Sequence, residues 1–380
     1  MASGRTIWAD LLSDEERTVL DLGAGGTPDP RPDVLVVGGG IVGVATALAC
    51  QRAGLGQVSL VEKGRLGSGA TEGAAGLLVP EAHQGSDPPR FVELARASLE
   101  MWRELEMALP GGVGYQDMDW IGLAPQPDGF VADPPSMVEW LSADDVAGLV
   151  AGLVAGLMGN GPAARVRHQG RVNPLRAVSR MAAQLPQVTT GVAAIRLEEK
   201  GGRVAAVATT AGLVSPAAVI FATGGPPDLA GLDLQIPADL VKGHLAATEP
   251  VSVTLPGSVA PVAVQIEEQR LLTGGTIDAD DPSPGVNSNV IGVIKRELET
   301  ALPQLRTARL SHQWCCWRPH HPDSQPVIDR VPGLDNAWFT SGHYRTGILM
   351  AQVTGRLLSE WLSCGDQPAD AVPWAVDGRW

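Results

Sequence analysis

A chain of 380 residues is long enough for more than one hydrophobic core, since single cores stop growing at about 250–300 residues. Its 44% hydrophobic and 18% charged residues belong to a folded globular protein and exclude general disorder. Twenty-eight Lys and Arg against 42 Asp and Glu leave a net charge of −14, which repels phosphate backbones and removes nucleic acid from the expected partners.

In chain order, MASGRTIWADLLSDEERTVL lacks the apolar run of a secretory signal and carries acids that a transit peptide avoids. Trp8, Leu11, Leu12, Val19 and Leu20 predict one amphipathic helix, an appendage joined to the rest by the linker GAGGTPDPRP. A buried parallel strand is predicted at residues 33–37, leading directly into Gly38-Gly39-Gly40-Ile41-Val42-Gly43 and then a helix. Gly38 permits the tight turn, Gly40 lets backbone approach a pyrophosphate, and Gly43 allows close helix–strand packing. With Ile41 and Val42 they form a cradle whose helix N-terminus faces the phosphates.

A second apolar strand, residues 58–61, ends at Glu62, whose carboxylate can accept both ribose hydroxyls of an adenosine and would repel a 2′-phosphate. Lys63 and a small-residue segment follow. Gly69, Ala70, Thr71, Ala74, Ala75, Gly76 and Leu77 have no bulk to exclude a long dinucleotide and are expected to run beneath it. VAGLVAGLVAGL, residues 146–157, is too short to span a bilayer. Gly148, Gly152 and Gly156 would line one side of a helix there, or the segment is partly irregular. AAVIFATGG, residues 217–225, reads as another buried strand whose ending at Thr223, Gly224 and Gly225 lets backbone approach a cofactor. Cys50, Cys315, Cys316 and Cys364 have no metal-ligand spacing, and an adjacent pair does not easily meet disulfide geometry. No metal site is expected, and a reducing cytoplasm is the expected compartment.

Together these motifs resemble the FAD-dependent amine oxidases of the D-amino acid oxidase family, and most closely its glycine oxidase branch. The resemblance covers roughly residues 33–365 and rests on DVLVVGGGIVGVATALACQRAG, EKGRLGSGATEGAAGLLVPEA, GRVNPLRAVSRMAAQL, AAVIFATGG, WRPHHPDSQPVID and TSGHYRTGILMAQVTGRLLSEWL, in the family's order. It implies FAD as the cofactor and an α/β (α+β overall) fold. A Rossmann-type domain with a parallel sheet (31–80, 163–227 and 318–366) would be interleaved with a mostly antiparallel substrate domain (81–162 and 228–317), with an N-terminal segment 1–30 and a tail 367–380. Strands are expected at 242–248, 260–266 and 270–276.

The loop Gly342-His343-Tyr344-Arg345-Thr346-Gly347, with the helix starting near Ile348, resembles the one closing over the flavin ring, where glycines admit backbone amides and the helix end stabilises negative charge. Arg318 stands where the resemblance places the carboxylate-binding arginine, and its planar fork suits that grip. Arg345 is a second positive group expected to border the ligand. The tyrosine that the family often supplies beside the carboxylate is replaced by Val262 in this register, and the chain's tyrosines are Tyr115 and Tyr344. His244, His320 and His321 are candidate pocket residues, with a satisfied structural histidine the commoner outcome. Cys316 aligns with the residue that attaches flavin in sarcosine oxidase relatives, but Arg318 favours noncovalent FAD.

The implied reaction is oxidation of a small amino acid or N-substituted glycine by hydride transfer to FAD, giving an imine that hydrolyses to an oxo acid, with oxygen as acceptor. Alternatives are an FAD dehydrogenase using another acceptor, a non-catalytic flavin-binding subunit, and an NAD-dependent Rossmann dehydrogenase.

Overall fold

The computed structural model describes residues 3–123, 126, 130–132, 134–154 and 161–379. Two sheets organise them. The first has six strands in the order Val327–Arg330, Ala337–Ser341, Ala218–Gly224, Val34–Val37, Val58–Glu62 and Gln187–Thr190. All neighbours run parallel except the outer pair Val327–Arg330 and Ala337–Ser341. Val34–Val37 lies near the middle of this sheet and is buried throughout, which is why it reads as an unbroken apolar run, not an alternating one.

Helices Ile41–Arg52, Pro174–Ala182 and Gly347–Cys364 cover one face, joining the large core that contains Val34, Val36, Leu60 and Ile220. Gly355 brings two of these helices together, since a Cβ there would come within 2.9 Å of Ala45 O. The opposite face packs Leu35, Val37, Phe221 and Phe339 against Leu197, Val204, Val207 and Val214. Those four residues come from a three-stranded sheet of Ala194–Glu199, Val204–Thr209 and Gly212–Val214.

The second sheet is mostly antiparallel. Its order is Ser3–Arg5, Leu310–His320, Asp239–Thr248, Leu271–Gly274, Ala263–Gln265, Gly257–Ala260, Gln116–Gly122, Ala163–Arg171 and Leu77–Leu78, with Val138–Leu141 also paired to Ala163–Arg171. It recruits Leu77–Leu78, Ala163–Arg171 and residues 318–320, segments that the sequence reading groups with the nucleotide-binding part. The expected strand 260–266 is instead a reversal: Gly257–Ala260 turns back onto Ala263–Gln265, because Pro261 has no N–H to continue a ladder and Val262 N bonds Val259 O at 2.7 Å.

The N-terminal segment also departs from expectation. It forms a strand, Ser3–Arg5, and two short helices, Ile7–Asp10 and Asp14–Leu20, where one helix was predicted. Ser13 divides them: its side chain accepts from Glu16 N while the Glu16 carboxylate accepts from Ser13 N, a reciprocal cap that starts a new helix. Nor is this segment an appendage, since Ile7, Trp8, Leu12 and Leu20 are buried in the main core. In the low-complexity tract the helix Ala143–Leu149 includes Gly148 but ends before Gly152, which has φ +79°; Gly156 lies outside the described residues. Among the described residues no helix is long and apolar enough to cross a membrane, and no cluster of His, Cys, Asp and Glu could hold a metal.

Candidate active site

The glycine turns converge because strands Val34–Val37, Val58–Glu62, Ala218–Gly224 and Ala337–Ser341 are parallel, so their C-terminal ends share one edge, where open α/β sheets bind ligands. Gly38 has φ +118°, and a Cβ there would sit 2.4 Å from Ala222 O. Gly43 is constrained by contact, its missing Cβ falling 2.0 Å from Gly38 O. Gly40 differs from both. As the N-cap of helix Ile41–Arg52 it offers no side-chain cap, and only Thr71 Oγ1, at 3.4 Å, approaches the place of its Cβ. The open side at Gly40 and the helix amides beside Val42 suit a pyrophosphate.

Thr71 ties the next segment to this cradle, its Oγ1 accepting from Ile41 N at 3.1 Å. Glu62 ends its strand with Oε2 accepting from Gly39 N at 2.7 Å and Oε1 from Gly64 N at 2.8 Å. An ionised carboxylate retains further lone pairs for ribose hydroxyls. Lys63 is exposed, and Gly69 and Ala70 are half-buried, with nothing within 4 Å of a Cβ at Gly69. Ala74, Ala75 and Leu77 are also half-buried, while Gly76 adopts φ +75° against Val172 O. At the next strand end Thr223 is exposed, its hydroxyl donating to Gly225 O at 2.8 Å. Gly224 O accepts from Gly342 N at 2.8 Å.

The segment 342–347 is fastened to the substrate side by Tyr344 N donating to Pro319 O at 2.9 Å. Gly347 begins the helix and Ile348 is buried in its first turn. The side chains of this loop divide. His343 turns inward to Thr354 Oγ1 at 3.1 Å, and burial, then the neighbouring His321, push its pKa down to about 4. Thr346 donates to His343 O, whereas Arg345 is exposed. His343 and Thr346 therefore brace the loop, leaving its backbone and Arg345 free to meet a ligand.

Arg318 lies at the end of Leu310–His320, opposite Val241 in the neighbouring strand. Its guanidinium crosses over Gly243 and donates from Nη1 to Thr276 O at 2.9 Å. Burial first, and then the positive charge of Arg345, lower its pKa, and the guanidinium remains a half-buried cation. No carboxylate among the described residues pairs with it.

The neighbouring strand Asp239–Thr248 anchors the segment that carries Thr276. His244 N donates to Thr276 Oγ1 at 2.8 Å, and the His244 ring meets Asp278 at 2.7 Å. Fully buried Lys242 binds Asp281 at 3.0 Å and Ser283 O at 2.8 Å.

Among the candidate histidines, His244 belongs to that brace and His321 lies between Pro237 O and Ser341 Oγ. His320 bonds Ser324 and stacks edge-on with Tyr344, their ring centroids 4.6 Å apart. Tyr344 is thus held beside the end of the strand that carries Arg318. Tyr115 bonds Gln169 O and Arg103 elsewhere in the large sheet, and Val262 packs in a separate apolar cluster with Val259 and Leu271. Cys316 is buried against the 69–76 segment, its thiol donating to Gly73 O at 3.5 Å, and burial raises its pKa. Sequence reasoning passed over Gly243 and Thr276; a glycine inside a strand is the available signal, since it marks close approach by another group.

Glycine turns at one shared strand edge, Glu62 at the second strand end and an arginine with no carboxylate partner among the described residues fit a flavin-dependent amine or amino acid oxidoreductase. The chain belongs to the DAO family, FAD dependent oxidoreductase, whose model matches residues 33–361. It is 26% identical over 369 residues to a glycine oxidase of Pseudomonas putida, covering 91% of this chain and 98% of that protein. Its fold is similar to the crystal structure of glycine oxidase from Geobacillus kaustophilus, with TM-score 0.75 and 21% identity over 93% of this chain and all of that one. L-proline dehydrogenase from P. horikoshii is a further structural neighbour, with TM-score 0.77 and 18% identity over 91% and 96% of the two chains. FAD is the cofactor, and the open side of Gly40 and the small-residue segment 69–76 fit it.

Proposed function

We propose that the protein oxidises a small amino acid or an N-substituted glycine, with Arg318 holding the substrate carboxylate. Bound FAD supplies the two-electron acceptor. The observation that carries the reading is the guanidinium of Arg318, anchored by one nitrogen to Thr276 O and lacking a carboxylate partner among the described residues. A carboxylate entering this cleft exchanges its hydration for charge-assisted hydrogen bonds, and a planar fork fixed at one corner orients the α-carbon. Arg345, exposed at the rim, adds positive potential that attracts the anion. The similarity to glycine oxidases supports a small substrate. In the overall reaction the substrate leaves as an imine that hydrolyses to an oxo acid, while dioxygen is reduced to hydrogen peroxide.

The test is anaerobic bleaching of the flavin by glycine, sarcosine, D-amino acids, cyclic imino acids and longer N-substituted glycines, followed by Arg318→Leu with the best of them. Loss of one member of a buried charged pair predicts a fall of about 30-fold to several-thousand-fold in reductive efficiency, with FAD retained. Arg318→Lys restores part, because it keeps the charge without the two-pronged geometry. Wild-type efficiency in Arg318→Leu refutes the assignment. Oxygen uptake matched by peroxide formation tests the acceptor.

A further inference from the structure

Residues 3–22 lie outside the family match, which begins at residue 33, yet they are fastened to the segment 66–76, which meets Ile41 N through Thr71 and Cys316 through Gly73 O. Leu66 N donates to Leu20 O at 2.9 Å. Thr6 Oγ1 donates to Glu72 Oε1 at 3.2 Å, and Glu72 is held from its other oxygen by Arg65 at 2.8 Å. Trp8, 1% exposed, donates its indole N–H to Ala74 O at 2.8 Å. The preceding carbonyl, Gly73 O, accepts the indole N–H of Trp314 at 3.1 Å and the thiol of Cys316. Two consecutive carbonyls are therefore gripped by two indoles, one from residues 3–22 and one from the strand that carries Arg318.

Both ends of residues 3–22 are anchored. Ser3–Arg5 pairs with Leu310–His320 in the register Ser3 to Cys315 and Arg5 to Gln313. Helix Asp14–Leu20 is clamped to helix Pro174–Ala182 through Glu16, which pairs with Arg176 at 3.1 Å and Arg180 at 2.9 Å, and Ser179 Oγ donates to Glu16 O at 2.9 Å. Past the helix, Thr190 N donates to Leu22 O at 3.3 Å, fixing the strap to the edge strand of the six-stranded sheet. A strap held at two sheets and tied at three points between them limits where the backbone of residues 69–76 can sit.

We propose that residues 3–22 are a strap that positions the flavin-side segment 69–76, and that Trp8 is its principal positioning residue. The proposal rests on the reading that 69–76 lies against FAD. A carbonyl at Ala74 without its indole donor is free to rotate, and the adjoining Ala74 and Ala75 backbone then loses the fixed placement that receives the cofactor. The strap thus acts on cofactor affinity through geometry, with no residue of its own in contact with substrate.

The experiment uses the full chain. Trp8→Phe keeps a buried aromatic ring and removes the donor with the pyrrole half of the indole. Apoprotein is reconstituted with FAD and the dissociation constant is read from flavin fluorescence, alongside hydrogen exchange of residues 69–76 in the apoprotein. FAD affinity is expected to fall about 10-fold, the size of one buried hydrogen bond lost, with faster exchange confined to 69–76. Wild-type affinity in folded Trp8→Phe overturns the proposal, as does a loss of thermal stability with affinity unchanged.

Should Trp8→Phe not fold, Thr6→Val decides. It removes only the bond to Glu72, and unchanged affinity and exchange there overturn the strap. Gly69→Val separates this from the underlying reading. A Cβ at Gly69 meets no protein atom within 4 Å, so full FAD binding by Gly69→Val sinks the placement of 69–76 itself. Loss of FAD in Gly69→Val with none in Trp8→Phe sinks the strap alone.

Discussion

Gly243→Ala tests the substrate cleft without touching any charged group. Gly243 has no left-handed backbone requirement, so alanine brings no conformational strain, and its whole effect is the added methyl. That methyl would lie 2.2 Å from Arg318 Nη1, 2.4 Å from Nη2 and 2.3 Å from Thr276 O. Real carbon contacts do not reach such distances, so the guanidinium and the carbonyl must part and the 2.9 Å bond between them is lost. Thr276 is tied down by its hydroxyl, which accepts from His244 N and donates to Asp278, so Arg318, at the end of a long side chain, is the group that moves. A displaced arginine keeps its charge and loses its alignment, which predicts an effect below outright removal: about 10- to 100-fold in reductive efficiency, or roughly 1.4–2.8 kcal/mol. The assay is anaerobic flavin reduction across substrate concentrations, with FAD affinity measured in parallel and expected unchanged. A double-mutant cycle sharpens it: in an Arg318→Leu background, Gly243→Ala should cost almost nothing further, because the two act through one interaction. Additive losses, or wild-type efficiency in Gly243→Ala, would falsify the account of Arg318 as a guanidinium held over this glycine.

Gly40→Val should fold, since only Thr71 Oγ1 lies near the added carbon, yet lose FAD because the side chain occupies the open side of the cradle; flavin occupancy of the purified variant is the readout. Acid precipitation should release all flavin from the wild type, because the Cys316 thiol is buried, bonded to Gly73 O and raised in pKa. Flavin that stays with wild-type chain and leaves Cys316→Ser would reverse that expectation. Burial raises the Glu16 pKa, but the Ser13 amide, Arg176 and Arg180 outweigh it and hold the carboxyl below its ordinary 4.5. Its stabilisation is therefore full above that value and is lost as pH falls through the lowered one. Glu16→Gln should accordingly cost about 2 kcal/mol near neutrality, the size of a charged hydrogen bond lost, with the difference from wild type vanishing in acid; a pH-independent difference in denaturant unfolding argues against the charge.

The cofactor half of the protein was legible because its signals are local. An unbroken apolar strand, a glycine turn and a helix occupy consecutive residues, so Gly38, Gly40, Gly43 and Glu62 stand out as candidates for a dinucleotide cradle before any contact is known. The order of the remaining motifs brought the family and Arg318 with it. What the sequence alone did not carry depends on residues far apart in the chain. Gly243 and Thr276 matter because two neighbouring strands bring them to Arg318, and a strand glycine has many explanations until that neighbour is seen. Val262, placed by register beside the substrate, packs elsewhere because Pro261 breaks the ladder into a reversal. The roles of His321 and His343 as buried braces were equally hidden, since a ring's partners are set by packing. Residues 3–22 show the division most clearly. Their apolar residues were enough to predict a helical segment, but its split at Ser13, its strand on the far sheet and the hydrogen bond from Trp8 to Ala74 exist only once residues more than 60 positions apart meet in the folded chain.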